Sequence, residues 1–125
     1  MILGIGIDIV DIRRMQVALE RQGGRFIQRV FTREEQTYCK AHRNPVPYYA
    51  VRFAAKEALF KALGTGWSRG LTWQDAEVLR EGGGAPRLKL AGKALEFSGK
   101  MGVGVIHVSL SHSEESAVAL VILES

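Results

Sequence analysis

Two carboxylates and three cations stand out from apolar surroundings. Asp8 sits in the middle of GIGIDIV (residues 4–10), a run apolar enough for a buried strand. Glu57 lies inside RFAAKEALFKALGTG (residues 52–66), with Arg52, Lys56 and Lys61 around it. A buried carboxylate without a partner is costly, so Asp8 must meet a cation, meet hydrogen-bond donors or lie at an open edge. An ion pair with a lysine or arginine would satisfy it, and so would a hard metal ion. Mg²⁺ takes one or two protein carboxylates and completes its shell with water and substrate phosphate. Asp8 and Glu57 could supply those carboxylates, while Arg52, Lys56 and Lys61 oppose phosphate charge; together they suit phosphoryl-type chemistry. The plainer reading of Glu57 and Lys61 is an intrahelical pair one turn apart, worth about 0.2–0.5 kcal/mol.

Other chemistries fit less well. His42, His107 and His112 have neither zinc spacing nor cysteine companions. Ser109, Ser111 and His112 suggest a hydrolase, but Ser111 and His112 are consecutive on a predicted strand and face opposite ways, and no G-x-S-x-G elbow is present. Gly4 and Gly6 lack the third glycine of a dinucleotide fingerprint and fall within a strand, not at its end. They leave a strand face without side chains beside Asp8, open to a ligand or another backbone. Read with Glu57 and Lys61, that face is the cleared wall of a phosphate site.

The elements that must position these groups are legible in outline. Alternation over Ile2 to Val10 predicts a strand with Ile5, Ile7 and Ile9 on one face and Gly4, Gly6, Asp8 and Val10 on the other. Asp11 can cap a helix to about Gln22, stopped by Gly23-Gly24, and a short helix covers Arg25 to Val30. Thr32 and Glu35 form a capping-box pattern that opens a helix through Arg43, ended by Asn44, Pro45 and Pro47. The central helix runs from about Tyr48 to Leu63, closed by Gly64. Its charges form two stripes, Glu57/Lys61 and Arg52/Lys56, interleaved with Phe53, Phe60 and alanines, as in a helix threaded between a core and a polar cleft. DAEVLR and PRLKL flank EGGGA as a hairpin, a helix covers Gly92 to Met101, and two β-rich runs follow at 105–113 and 116–124. Helices cluster early and strands late, which predicts an α+β fold.

A chain of 125 residues, 46% hydrophobic, has room for one core and predicts a single domain. No apolar run approaches the roughly 18 residues of a membrane span. The start MILGIGID carries no secretory pattern and Cys39 is the only cysteine, so the expected home is a reducing cytoplasm, with Cys39 packing a helix. Between Ile12 and Arg33 stand Arg13, Arg14, Arg21, Arg25, Arg29 and Arg33 against Glu20 alone, a local charge above the +4 of the whole chain. Such a patch suits an acidic partner, or is a solvated helix face. A non-enzymatic nucleic-acid-binding module is the competing class. It leaves Asp8 and Glu57 unexplained, and only Phe26 and Phe31 are interleaved with the arginines.

GIGIDIVDI, RFAAKEALFKALGTG and HVSLSHS, in that order and spacing, resemble the holo-acyl-carrier-protein synthases, the short class of 4′-phosphopantetheinyl transferases, across essentially the whole chain. The resemblance implies their fold, an antiparallel sheet packed against a long central helix and shorter N-terminal helices. It implies transfer of 4′-phosphopantetheine from coenzyme A to a serine of acyl carrier protein, releasing adenosine 3′,5′-bisphosphate, in support of fatty acid biosynthesis. By the same resemblance Asp8 and Glu57 are Mg²⁺ ligands, Lys61 lies near the transferred phosphate, and Arg52, Lys56, Gly64, Thr65, Gly66, Ser111 and His112 contact coenzyme A. The basic first helix docks the acidic carrier through Arg14, Arg21 and Arg25, and the family's trimers hold each active site at a subunit junction. Neither nucleic acid nor membrane is implied as a partner.

Overall fold

The computed structural model describes residues 1–66, 68–80 and 83–125; part of the glycine-rich hairpin turn, Glu81 and Gly82, lies outside them, as does Trp67. The order is β1 (Ile2–Asp11), α1 (Ile12–Gln22), α2 (Gly24–Val30), α3 (Arg33–Lys40) and α4 (Val46–Ala62). A 3-10 turn (Trp73–Asp75), β2 (Ala76–Leu79), β3 (Arg87–Leu90), α5 (Gly92–Met101), β4 (Val105–His112) and β5 (Ser116–Glu124) follow. Strands β1, β5 and β4 form an antiparallel sheet in that order, and β2 pairs with β3 in a separate hairpin. The α+β expectation holds, with a 3-10 turn taking Asp75 out of the strand expected over residues 75–80.

The local signals act as their chemistry requires. Asp11 accepts a hydrogen bond from the Arg14 amide and opens α1, while Gly23, at φ 58°, separates α1 from α2. Thr32 and Glu35 close a reciprocal capping box on α3. Two boundaries differ from expectation. Helix α3 ends at Lys40, short of Arg43, and α4 begins at Val46 with Pro47 inside its first turn. A proline there gives up only an amide that has no intrahelical partner, so Pro47 starts the helix instead of blocking it.

Helix α4 joins two apolar clusters. Its C-terminal half packs Ala54, Ala58, Leu59 and Ala62 against Ala119, Val121 and Leu123 of β5, with Val78 of β2 and Ala94 of α5. Its N-terminal half packs Tyr49, Ala50 and Val51 with Met15, Phe26, Phe31 and Cys39. From Tyr49 to Ala62 only Phe53, Glu57 and Lys61 escape burial. They are four residues apart, so α4 opens along one stripe only.

A candidate active site between the first strand and the central helix

The open stripe of α4 reaches Asp8 because β1 has no side chains in the way. A Cβ on Gly6 would stand 1.8 Å from the Ala58 carbonyl oxygen, and one on Gly4 would stand 2.1 Å from that of Ala62. The bare face read from sequence as the wall of a phosphate site is therefore occupied by the backbone of α4. The glycines serve the site indirectly, letting helix and strand approach until Glu57 and Lys61 stand beside Asp8.

Lys61 donates from Nζ to Asp8 Oδ1 at 2.9 Å and to the Ile7 carbonyl at 3.0 Å. The Asp8 side chain is 17% exposed and that of Lys61 51%, so the pair sits at the mouth of a cleft. Glu57 lies close enough to feel both charges, and its carboxyl is pushed above the usual range by burial first and by the Asp8 charge second, with Lys61 opposing. Asp8 and Glu57 line one cavity of about 360 Å³ with Asp11, Arg14, Met15, Ala18, Phe26 and Phe53. The cavity thus carries two acidic side chains, Lys61 paired with one of them, and Arg14 in its lining. Phe53 was not singled out from the sequence, although it lies one turn before Glu57 on the same stripe, and that spacing was the available signal.

Among the described residues no group of three or more His, Cys, Asp and Glu is arranged to hold a metal. A closed, all-protein centre is thus absent from them. The Asp8/Glu57 pair instead has the hard oxygen donors and open side that suit Mg²⁺ sharing its shell with water and phosphate.

The other sequence-derived site residues divide. Lys56 does not reach the cleft: it is fully buried, 2.8 Å from Glu35 Oε1, and donates to the Trp73 and Ala76 carbonyls. The expectation that it opposes ligand phosphate gives way to a sealed ion pair, because all its donors are taken inside the protein. Glu35 was read only as a capping residue, and nothing in the spacing linked it to Lys56. Arg52 is almost wholly buried on the far side of α4, its guanidinium carbon 4.1 Å from the centre of the Tyr38 ring. There it lines a second cavity of about 250 Å³ with Glu34, Thr37, Tyr38 and Arg80.

The loop after α4 turns through Gly64 and Gly66 at positive φ, and the Thr65 hydroxyl is spent on the Phe60 and Gly66 carbonyls. Ser111 and His112 end β4, and the His112 ring packs edge-on to Tyr48, 5.4 Å between centres. Arg14 reaches the carboxylate cavity, whereas Arg21 and Arg25 are exposed on either side of the α1–α2 break and do not line it.

Comparison with known proteins agrees with this architecture. A sequence model of the 4′-phosphopantetheinyl transferase superfamily matches residues 4–121. The chain is 48% identical to the holo-[acyl-carrier-protein] synthase of Maridesulfovibrio salexigens, covering 99% of both chains. It is 49% identical to that of Koribacter versatilis, again over 99% of each. Its structure superposes on the Neisseria meningitidis synthase with a TM-score of 0.89 at 34% identity, covering 100% of both chains. It superposes on the Bacillus anthracis synthase in complex with CoA (3′,5′-ADP) with a TM-score of 0.82 at 37% identity, covering 100% of this chain and 98% of that one. The chain belongs to the 4′-phosphopantetheinyl transferase superfamily and is a holo-[acyl-carrier-protein] synthase.

Proposed function

We propose that the chain transfers 4′-phosphopantetheine from coenzyme A to a serine of apo acyl carrier protein in a Mg²⁺-dependent reaction. The observation that carries the reading is the convergence of Asp8 and Glu57 on one cavity, with Lys61 paired to Asp8. The serine hydroxyl gives up its proton to solvent as its oxygen bonds to the β-phosphorus and the bond to the bridging oxygen breaks, and adenosine 3′,5′-bisphosphate leaves with that oxygen. Asp8 and Glu57 would hold the cation, which would supply charge neutralisation at the pyrophosphate. Lys61 keeps a cationic donor at the cleft mouth, where charge accumulates on the phosphoryl oxygens in the transition state. Coenzyme A in the Bacillus anthracis relative's complex supports this choice of donor.

Around that centre, Arg52 with Arg80 gives a cationic cavity suited to a phosphate of the coenzyme. The positive-φ turn at Gly64-Thr65-Gly66 and the Ser111-His112 strand end complete the coenzyme contacts of this reading. Arg14, beside an apolar floor of Met15, Phe26 and Phe53, is the nearest docking cation for an acidic carrier, with Arg21 and Arg25 further out.

The outer face of the sheet supports a homotrimer with its active sites at subunit junctions. Ile5, Ile7 and Ile9 are 59%, 59% and 67% exposed in the single chain, next to Leu120 and Ile122 of β5. An apolar sheet face of that kind calls for a partner surface. No helix among the described residues is long and apolar enough to cross a membrane. The reading places the reaction in the cytoplasm, in support of fatty acid biosynthesis. It is tested with purified protein, apo carrier, coenzyme A and Mg²⁺: the intact carrier gains one phosphopantetheine, and a carrier of unchanged mass would refute the assignment.

A further inference from the structure

Among the described residues the most heavily enclosed charges lie outside the cleft. The side chains of Glu35 and Lys56 are both fully buried. Every polar atom of the pair is engaged. Glu35 accepts from the Thr32 amide through Oε1 (2.9 Å) and from the Val78 amide through Oε2 (2.8 Å). Lys56 donates to Glu35, to the Trp73 carbonyl at 3.1 Å and to the Ala76 carbonyl. One ion pair thus ties α4 to the start of α3, to the 3-10 turn and to β2. Burying such a pair is costly, and apolar replacements of similar volume are often as stable, so stability alone does not account for it.

Its position on the helix does. Lys56 immediately precedes Glu57. At roughly 100° per residue, Ala58 and Ala62, the points of contact with Gly6 and Gly4, lie about 200° and 240° around α4 from Lys56. Glu57 and Lys61 lie about 100° and 140° around, in the arc between these two anchors. Strand β1 meets the helix through bare glycine backbone at Gly4 and Gly6, and its hydrogen bonds from α4 come from Lys61, a half-exposed side chain of the site itself. On the opposite flank the ion pair is directional, held by hydrogen bonds of fixed geometry. A helix rotation of about 10° would move a carboxylate about 6 Å from the axis by about 1 Å. A misplacement of that size at a reacting centre can cost about 100-fold.

We propose that the Glu35–Lys56 pair is a positioning device for the active site: it fixes the rotation of α4, and through it the geometry in which Glu57 and Asp8 share a divalent cation. The proposal rests on the metal reading above and adds residues that touch neither metal nor substrate. Phe53 is held by the same anchor, since Trp73, whose carbonyl Lys56 binds, stacks on it at 4.9 Å between ring centres.

The test compares the parent chain with the double variant Glu35→Leu/Lys56→Met, which removes both charges and strands neither. Mn²⁺ is titrated in the presence of coenzyme A and followed by the electron paramagnetic resonance signal of the free ion. Thermal midpoint and transfer rate against metal concentration are measured alongside. The double variant is expected to stay folded with a lowered midpoint, since four backbone groups lose a hydrogen-bond partner, and to bind Mn²⁺ about tenfold more weakly, with transfer largely restored at high metal concentration. A folded double variant whose Mn²⁺ affinity stays within about twofold of the parent would overturn the proposal, since a merely structural pair would shift the midpoint and leave metal affinity alone. Should the double variant fail to fold, Glu35→Asp keeps the charge but withdraws it by one methylene, and carries the same expected and overturning results. Asp8→Asn serves as the comparator. If it loses Mn²⁺ while the double variant does not, positioning fails alone; if it binds Mn²⁺ as the parent does, the metal reading fails.

Discussion

Glu57 is a carboxyl at odds with its surroundings. Burial and the Asp8 carboxylate push its carboxyl above the ordinary range. A carboxyl whose folded-state pKa is raised holds its proton more tightly in the folded chain. Its effect on stability is therefore most favourable below the unfolded value and is lost as pH rises through the folded one. Glu57→Gln should accordingly raise the thermal midpoint of the metal-free protein at pH 7, with the gain shrinking toward pH 4, while transfer falls by about 100-fold or more. A lower midpoint at pH 7 would contradict the strained-carboxylate account. Cys39 shifts in the same direction: burial pushes its thiol up to about 12, so a thiol reagent should modify it only as fast as the chain unfolds. Asp8, Glu57 and Lys61 were legible because each interrupts an apolar pattern, and a polar group in such a place needs a partner. Lys56 interrupts the same pattern one position earlier and was read the same way. Its fate depends on Glu35, carried by another helix, and no local spacing encodes that.

At the scale of elements, the site is made by one close approach. Helix α4 can lie on β1 only where the strand has no Cβ, so Gly6→Ala, which sets a carbon 1.8 Å from the Ala58 oxygen, must push the two apart. Overpacking of this kind costs about 1–3 kcal/mol or more, and chemical denaturation should register it together with lost transfer. Gly24→Ala is the control. It lies at the start of α2 with nothing within 4 Å of the added carbon, and it should leave stability unchanged or slightly improved. Equal losses in both variants would remove the close-approach argument. Periodicity and caps made most elements visible: the Thr32–Glu35 box and the strand alternation of β1 appear in the structure as read. What they could not give is which of the two charged stripes on α4 stays open. That is decided by α3 and the β2–β3 hairpin covering Arg52 and Lys56, a tertiary event.

The whole molecule leaves its sheet uncovered on the side of Ile5, Ile7 and Ile9, and the trimer reading assigns that face to neighbouring subunits. Ile5→Lys should change an isolated chain little, because the side chain is already exposed, yet it should shift the light-scattering mass from trimer to protomer and lower transfer with it. A parent protein that scatters as a monomer would end the trimer reading. The central claim, that the Asp8/Glu57/Lys61 cleft moves phosphopantetheine with the help of a divalent cation, is tested most directly by the mass of the intact carrier. Purified chain, apo carrier and coenzyme A should add one phosphopantetheine to the carrier serine when Mg²⁺ is present and none when it is chelated. A carrier that stays unmodified with Mg²⁺, under conditions where a known synthase modifies it fully, would contradict the account.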